Sequence, residues 1–161
     1  MKKNFERIYY YHSPIGFIKI VASVEQIISL SFVEEISDSK NKTNLIVSQC
    51  VQQLKQYFAK KLQKFNLPLA IKGTTFQELV WSETFKIPYG TTMSYQELAK
   101  KINKPKAVRA VGSALAKNPL AIIIPCHRVV SSNDPNIVNY FWGEARKIFL
   151  QNLENNFLSK E

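Results

Sequence analysis

A cysteine, a histidine and an arginine stand side by side at the end of the most apolar run of the chain. The run from Leu120 to Ile124 is followed by Pro125 and then by Cys126-His127-Arg128. A thiol attacks as the thiolate, which nearby positive charge and a partner base both favour. The pattern therefore indicates a nucleophilic cysteine, although a cysteine after an apolar strand is more often a buried, inert residue.

A metal site is the weaker explanation for these residues. The candidate ligands are His12, Cys50, Cys126 and His127, and they show neither Cys-x-x-Cys nor His-x-x-x-His spacing. Adjacent residues rarely bind one ion together. Cys50 lies on the apolar stripe of a predicted helix, which is typical of a small core residue. We therefore expect no metal and no cofactor.

Positive charge is concentrated near the candidate nucleophile. The chain of 161 residues has 22 Lys and Arg against 12 Asp and Glu, a net charge of +10. Seven of the basic residues and none of the acids fall between Leu98 and Asn133. Surface helices usually mix charges, so a stretch of one sign indicates a surface that binds a polyanion. A generally basic composition explains the same charge without a binding role.

The composition excludes several classes of protein. Two cysteines are too few for a disulfide-rich secreted scaffold. No apolar run approaches the roughly 20 residues of a membrane span, and the charged N-terminus lacks the apolar core of a signal peptide. We expect a cytoplasmic protein with no membrane partner.

The first third of the chain has the pattern of a small sheet covered by a helix. Three runs rich in aromatic and β-branched residues, Arg7–Tyr11, Phe17–Ala22 and Gln26–Phe32, predict antiparallel strands. Apolar residues recur at helical spacing from Val47 to Phe58, which predicts a covering helix. We assign this domain to residues 1–69, with Lys64 to Gly73 as a linker.

Residues 70–161 have the pattern of a mainly helical domain. Two Ser/Thr-x-x-Glu sequences, Thr75–Glu78 and Ser94–Glu97, predict capping boxes that open two helices. After a break at Asn103-Lys104, a third helix is predicted with Pro105 as its first residue, and the pair outlines a helix-turn-helix.

Two further elements complete the prediction: a buried strand from Ala121 to Pro125 and a closing helix from about Glu144 to Leu153. The expected fold class is α+β, with a small antiparallel three-stranded sheet and its covering helix followed by a winged helix-turn-helix-like domain.

The motifs of the second domain together resemble those of one family. Pro125-Cys126-His127-Arg128 is similar to the active-site signature of the O6-alkylguanine-DNA alkyltransferases, also called methylated-DNA–protein-cysteine methyltransferases. The resemblance is strong over residues 74–155 and weaker in the N-terminal part. The family's other motifs follow in order as Phe76-Gln77, Val80-Trp81, Ile87-Pro88-Tyr89-Gly90, Ser94-Tyr95, Pro105 to Gly112, Asn118-Pro119 and Tyr140-Phe141-Trp142-Gly143.

The resemblance implies DNA repair by direct reversal, without a cofactor. Cys126 would attack the alkyl carbon on O6 of guanine, with O4 of thymine as a further candidate. The product is a thioether that water does not cleave, so each molecule would act once. His127 would accept the thiol proton through a water, and Glu154 would orient and charge-balance His127.

The resemblance also implies how the DNA is held. The target atom lies inside a duplex, so its nucleotide must be flipped out. Arg109 matches the arginine that fills the vacated space, and Tyr95 matches the tyrosine that hydrogen-bonds N3 of guanine. Ser113, Asn118 and Arg128 are assigned to the same substrate and DNA surface. The expected partner is double-stranded DNA containing O6-alkylguanine, bound by a monomer associated with the nucleoid. Tight packing between helices is the other explanation for the small residues around Ser113.

The resemblance assigns the base pocket to the carbonyl of Val129, to Tyr140, to the backbone around Phe141 and to Lys147. The chain departs from the family pattern in three ways. It has an apparent one-residue insertion around Pro135, Val138 where glycine is common, and Ala121 where some members have a second proline. Ala121 and Val138 together predict a pocket that accepts methyl lesions in DNA but reacts poorly with free O6-benzylguanine.

Three other functions are open on the residues alone. A helix-turn-helix regulator explains the basic helix but not Cys126-His127. A Cys-His hydrolase explains the pair but not the basic helix. A non-catalytic lesion binder of the same fold replaces the nucleophilic cysteine, which is present here. Some family members have four zinc ligands in the N-terminal domain, where this chain has only Cys50 and His12, so no zinc is expected.

Overall fold

The structure is a computed structural model that describes residues 6–37, 41–134 and 136–158, with side chains up to residue 155. The chain forms two compact units. One contains the described residues up to Ile71 together with Pro119–Ala121, and the other contains Lys72–Asn118 and the described residues from Ile122 onward. Within the described ranges, no helix is long and apolar enough to cross a membrane.

The first unit is built on a three-stranded antiparallel sheet in the order β1-β2-β3, as predicted. Its strands are β1 (Arg7–Ser13), β2 (Gly16–Ala22) and β3 (Ile27–Val33). Pairing of Ser13 with Gly16 leaves a two-residue turn between β1 and β2, and Gly16 has a φ of 116° that favours glycine.

Helix α1 (Leu45–Phe58) contacts all three strands. It begins at Asn44, whose side chain accepts from the Val47 N–H at 2.8 Å. The predicted apolar stripe is confirmed, because Val47, Cys50, Leu54 and Tyr57 are all fully buried. Cys50 is thus a core residue, and burial raises the pKa of its thiol to about 12.

Two short segments extend this unit at β3, and both correct the sequence prediction. Pro68–Ala70 is not a free linker: Ile27 donates to the Pro68 carbonyl and Ala70 donates to the Ile27 carbonyl, each at 2.8 Å. Ala121 does not begin a strand, and its N–H donates to the Leu30 carbonyl at 2.9 Å. The first unit extends to Ile71, two residues beyond the expected boundary at residue 69, and also includes Pro119–Ala121.

The second unit begins with α2 (Thr75–Phe85), β4 (Met93–Ser94) and α3 (Tyr95–Lys101). The predicted box at Thr75–Glu78 is wrong by one residue, because Thr74 caps α2 and exchanges hydrogen bonds with Gln77. The box between Ser94 and Glu97 forms as predicted at the start of α3. Trp81 of α2 donates its indole N–H to the Ala114 carbonyl at 2.8 Å, which ties α2 to the helix that comes after α3.

The turn of the helix-turn-helix follows α3. Asn103 has a φ of 59°, and Lys104 donates back to the Ala99 carbonyl, which is the pattern of a Schellman motif. Pro105 is not the first residue of the next helix as predicted: it lies in the turn, and α4 spans Val108–Ala116. The side chain of Val111 is fully buried on the inner face of α4.

A buried turn, not the predicted strand, leads from α4 to the cysteine. Ile122 in this turn has a φ of 71°, a strained value for a β-branched residue. A single 3₁₀ turn at Cys126–Arg128 and then β5 (Val129–Val130) follow, and β5 pairs in parallel with β4. The closing helix α5 (Glu144–Leu158) runs five residues beyond the predicted end.

Candidate active site

Cys126 is held in a buried position of the second unit. Its side chain is 6% exposed, and Asn118 donates its amide N–H to the sulfur at 3.2 Å. The same amide group also donates to the Ile124 carbonyl at 2.9 Å, so its orientation is fixed. Burial raises the pKa of the Cys126 thiol to about 11, although Asn118 and the charge of Lys147 act in the opposite direction. In the resting protein the sulfur is therefore protonated.

His127 and Glu154 form a buried pair next to this cysteine. His127 Nε2 lies 2.8 Å from Glu154 Oε1. Burial opposes ionisation of the carboxyl, but the hydrogen bonds from His127 and Arg128 lower the pKa of Glu154 to about 2. An ionised carboxylate only accepts, so Nε2 carries the proton and Nδ1 has the free lone pair. Burial lowers the pKa of His127, which keeps the ring neutral. Nδ1 is buried and has no hydrogen-bond partner among the described residues.

Arg128 lies on the other side of the same carboxylate. Its Nε and Nη2 donate to Glu154 Oε2 and Oε1 at 2.9 and 2.8 Å, and its Nη1 donates to the Ile87 carbonyl at 2.7 Å. The residue is 7% exposed. The sequence assigned Arg128 to the DNA surface, whereas the structure places it inside the unit, where it holds Glu154.

Lys147 is a buried cation that joins two segments of the site. Its Nζ donates to the Val129 carbonyl at 2.6 Å and to the Asn139 carbonyl at 2.8 Å, and it lies 5.8 Å from the centre of the Tyr95 ring. Burial lowers the pKa of Lys147 to about 8. The Val129 carbonyl, which the sequence assigned to the base, therefore already has one donor.

A small cavity opens in front of the sulfur. It is lined by Tyr95, Tyr140 and Phe141, as expected from the sequence. Four further lining residues were not predicted to form part of the pocket: Gly112, Leu115, Ala116 and Asn139. The hydroxyl oxygen of Tyr140 is buried and has no partner among the described residues. Phe141 is 70% exposed at the mouth of the cavity.

The outer face of α4 is free for a large ligand. Arg109 and Ser113 are both exposed on it. A Cβ placed on Gly112 would meet no atom within 4 Å, so the space in front of this glycine is open. Tight helix packing therefore does not explain the small residue at position 112.

None of the three departures from the family pattern is among the described residues that line this cavity. Ala121 is fully buried and groups with the first unit. Val138 is half-buried and is not among the described residues that line the cavity. Pro135, at the apparent insertion, lies outside the described residues. The narrow pocket stays a prediction, and replacing Ala121 by proline is a poor test because it removes the N–H that donates to Leu30.

Two further contacts complete the site from distant parts of the sequence. The N–H of Gly90, which has a φ of 75°, donates to Glu154 Oε2 at 3.3 Å. Gln151 donates to the His127 carbonyl at 2.9 Å. Gly90 stood in a quoted motif, but nothing in its local sequence indicated a carboxylate 64 residues away.

The fold and the site define a class of protein: a helix-turn-helix with an open outer face, joined to a buried cysteine whose histidine is paired with a carboxylate. Two family descriptions match the chain. Residues 75–156 match the 6-O-methylguanine DNA methyltransferase, DNA binding domain, and residues 7–71 match its ribonuclease-like domain.

Relatives of known function agree with these matches. The methylated-DNA–protein-cysteine methyltransferase of Methanosarcina barkeri is 42% identical over 151 residues, which is 91% of this chain and 95% of the relative. The constitutive enzyme of Bacillus subtilis is 36% identical, covering 88% and 91% of the two chains.

Solved structures agree as well. The crystal structure of the Mycobacterium tuberculosis O6-methylguanine methyltransferase has a TM-score of 0.85 at 36% identity and covers 94% of both chains. That of Mycobacterium tuberculosis OGT in complex with DNA has a TM-score of 0.84 at 38% identity and covers 93% of both.

The chain belongs to the methylated-DNA–protein-cysteine methyltransferase family. It binds DNA and acts in direct-reversal repair, by transfer of an alkyl group from the DNA to a cysteine.

Proposed function

We propose that Cys126 is the acceptor cysteine and that it takes the alkyl group from O6 of guanine in duplex DNA. The observation that carries this assignment is the position of Cys126, which lines a cavity and is followed in the chain by His127. Because Nε2 of His127 bonds Glu154, its Nδ1 keeps a free lone pair that can accept a proton. Cys50, the other cysteine, is fully buried on α1 with a pKa raised to about 12.

The thiol must lose its proton before or during attack, because its pKa is raised to about 11. His127 Nδ1 is the base on this path, reached through a water, and Glu154 stabilises the imidazolium that forms. The hydrogen bonds from His127 and Arg128 keep Glu154 ionised, and Arg128 and the Gly90 N–H hold its carboxylate in place beside Nε2. Arg128 is thus a positioning residue, and its assignment to the DNA surface is replaced.

The transfer itself is an in-line displacement. The sulfur of Cys126 forms a bond to the alkyl carbon while the bond from that carbon to O6 breaks, and the electron pair passes to the guanine. The hydroxyl of Tyr95, at the cavity wall, donates to N3 and stabilises the leaving base. The thioether that remains is stable in water, so each molecule acts once.

The DNA partner is a duplex that contains O6-alkylguanine. Arg109 lies exposed on α4, where a side chain can enter the space left by a flipped nucleotide. We infer action as a monomer, since Cys126, its neighbour His127 and Glu154 meet within a single chain. With DNA as its substrate, the protein would work in the cytoplasm, associated with the nucleoid. O4 of thymine stays a further candidate.

Intact mass after incubation with methylated duplex tests the assignment. We expect a gain of one methylene equivalent, carried by the peptide that contains Cys126. Cys126→Ser should bind DNA and gain nothing, whereas the matched Cys50→Ser should gain the same mass as the wild type. A methyl group on Cys50, or a gain that persists in Cys126→Ser, would overturn the assignment.

A further inference from the structure

A second acid-free stretch of the chain is not explained by the alkyl-transfer site. Residues 39–77 contain seven lysines and no Asp or Glu, as many basic residues as the stretch from Leu98 to Asn133. The latter stretch contains the helix-turn-helix, whereas the former belongs almost entirely to the sheet unit. A charged surface of one sign is unfavourable for folding unless something outside the chain compensates it.

Four of these lysines gather at the end of α1, and we call them the α1-end cluster: Lys55, Lys60, Lys61 and Lys64. Lys55, Lys61 and Lys64 are exposed and Lys60 is half-buried. None of the four makes an ion pair or a side-chain hydrogen bond with a described residue. Their charge is therefore available to a ligand.

The backbone holds this cluster in place. Lys60 and Lys61 donate to the Tyr57 and Gln56 carbonyls at 3.0 and 2.8 Å, which closes α1 with a Schellman motif. The chain then folds back along the helix, because the side-chain amide of Gln53 both donates to and accepts from the backbone of Asn66, at 2.9 Å each. Lys64 is thereby fixed near the same end of α1.

Lys60 occupies a position that usually holds glycine. Its φ is 60°, in the left-handed region where a side chain is strained. The negative end of the α1 dipole favours nearby cations, but it acts within the last turn and does not require four lysines or a lysine at this strained position.

We propose that the α1-end cluster is a second nucleic-acid-binding surface, which contacts the phosphates of duplex DNA separately from the helix-turn-helix. Ammonium groups bind phosphate as point charges without reading sequence, which suits a contact with undamaged DNA during search. The choice of DNA as the polyanion rests on the proposed function. An acidic protein surface is the alternative partner, and it predicts no change in the salt dependence of DNA binding when the cluster is neutralised.

The experiment measures the salt dependence of binding to an undamaged duplex longer than one protein's footprint. The test variant is Lys61→Gln/Lys64→Gln. The matched control is Lys19→Gln/Lys42→Gln, which removes the same charge from the same unit. Lys19 lies on the central strand β2, and Lys42 lies before the start of α1. Each phosphate contact contributes about 0.9 to the slope of log K against log salt, so the test variant should lose up to about 1.8. From about 50 to 200 mM salt, the wild type should then lose roughly tenfold more affinity than the test variant.

The control and Lys61→Arg/Lys64→Arg should keep the wild-type slope. Equal slopes for the test variant and the control would overturn the proposal. Methyl transfer at saturating methylated duplex is measured in parallel and should be unchanged in all variants. A wild type that transfers no methyl group would refute the proposed function, while the difference in slopes would still decide this proposal.

Discussion

At the scale of single residues, the site is organised around one carboxylate. Glu154 accepts from His127, from two nitrogens of Arg128 and from the Gly90 N–H, and it is only 2% exposed. Buried ion pairs are sensitive to the loss of one partner, because the remaining charge is left uncompensated. Glu154, which we propose orients the base, is therefore also expected to be a stability determinant of the second unit.

Replacing Arg128 by methionine should destabilise this unit by about 3–5 kcal/mol, the usual effect of breaking a buried pair from one side. Urea unfolding followed by tryptophan fluorescence measures the loss, because both tryptophans, Trp81 and Trp142, lie in the second unit. The double variant Arg128→Met/Glu154→Gln should recover part of it, since no unpaired charge remains. Strictly additive losses would contradict the coupling.

Part of this arrangement could be predicted from the sequence. The adjacency of Cys126 and His127 is visible in the chain, and the resemblance added Glu154 and Tyr95. The role of Arg128 could not be predicted, because its partners Ile87 and Glu154 lie 41 residues before it and 26 residues after it. An arginine in a basic stretch has the same local sequence whether it faces solvent or a buried carboxylate.

At the scale of elements, the proposed function places the outer face of α4 against the DNA. Arg109→Ala should slow repair of a methylated duplex roughly tenfold or more, because a few kcal/mol of unstacking is left uncompensated. Reaction with free O6-methylguanine should be nearly unchanged. Single-turnover rates on the two substrates give the comparison. Lys106, an exposed lysine in the turn before α4, provides the charge control. The repair rate of Lys106→Ala should return to the wild-type value at saturating duplex. Equal losses on both substrates would argue against a flipping role.

Two glycines of the second unit, Gly73 and Gly112, have opposite surroundings and so give a matched pair of substitutions. A Cβ on Gly112 meets nothing within 4 Å, whereas one on Gly73 comes within 2.6 Å of the buried Trp81 ring. Gly112→Ala should therefore stabilise α4 by about 0.5–1 kcal/mol and yet slow transfer, because the new methyl group enters the cavity. Gly73→Ala should lower the melting temperature. Thermal unfolding and transfer rates check both, and unchanged transfer in Gly112→Ala would show that the base does not approach α4 there.

The elements differed in how well the sequence predicted them. In β2 and α1 the buried residues recur at the spacing of the element, every second residue from Ile18 to Ala22 and on one helical face from Val47 to Tyr57. The burial of β1 and β3 alternates less regularly. The apolar run Leu120 to Ile124 is buried on all sides, and such a run has no period that separates a strand from a turn. Thr74 and Thr75 are both capable caps, and only the backbone at Thr74, with a ψ of 161°, decides between them.

At the scale of the whole molecule, the buried ionisable groups of the site make the free energy of unfolding fall at low pH. The folded state holds the pKa of Glu154 at about 2, below its usual 4.5, so the unfolded chain binds the proton first. The stabilisation is complete above pH 4.5 and is lost as the pH falls towards 2, about 3 kcal/mol in all. The lowered pKa of His127 acts in the same direction below about pH 6.5.

Urea unfolding at a series of pH values tests this linkage. Glu154→Gln should be less stable than the wild type at pH 7, and the difference should shrink almost to nothing near pH 2, where the wild-type carboxyl is protonated too. A deficit that stays constant with pH would show that Glu154 acts through packing and not through its charge.

The buried, protonated state of Cys126 has a consequence for the lifetime of the molecule before it meets a lesion. Peroxide oxidises thiolates far faster than thiols, and the first product, a sulfenic acid, would end the use of a protein that reacts only once. A sulfur that is 6% exposed with a pKa raised to about 11 is a poor target for such oxidants. The same burial that calls for a base, proposed to be His127, therefore lets an idle molecule keep its single reaction in reserve.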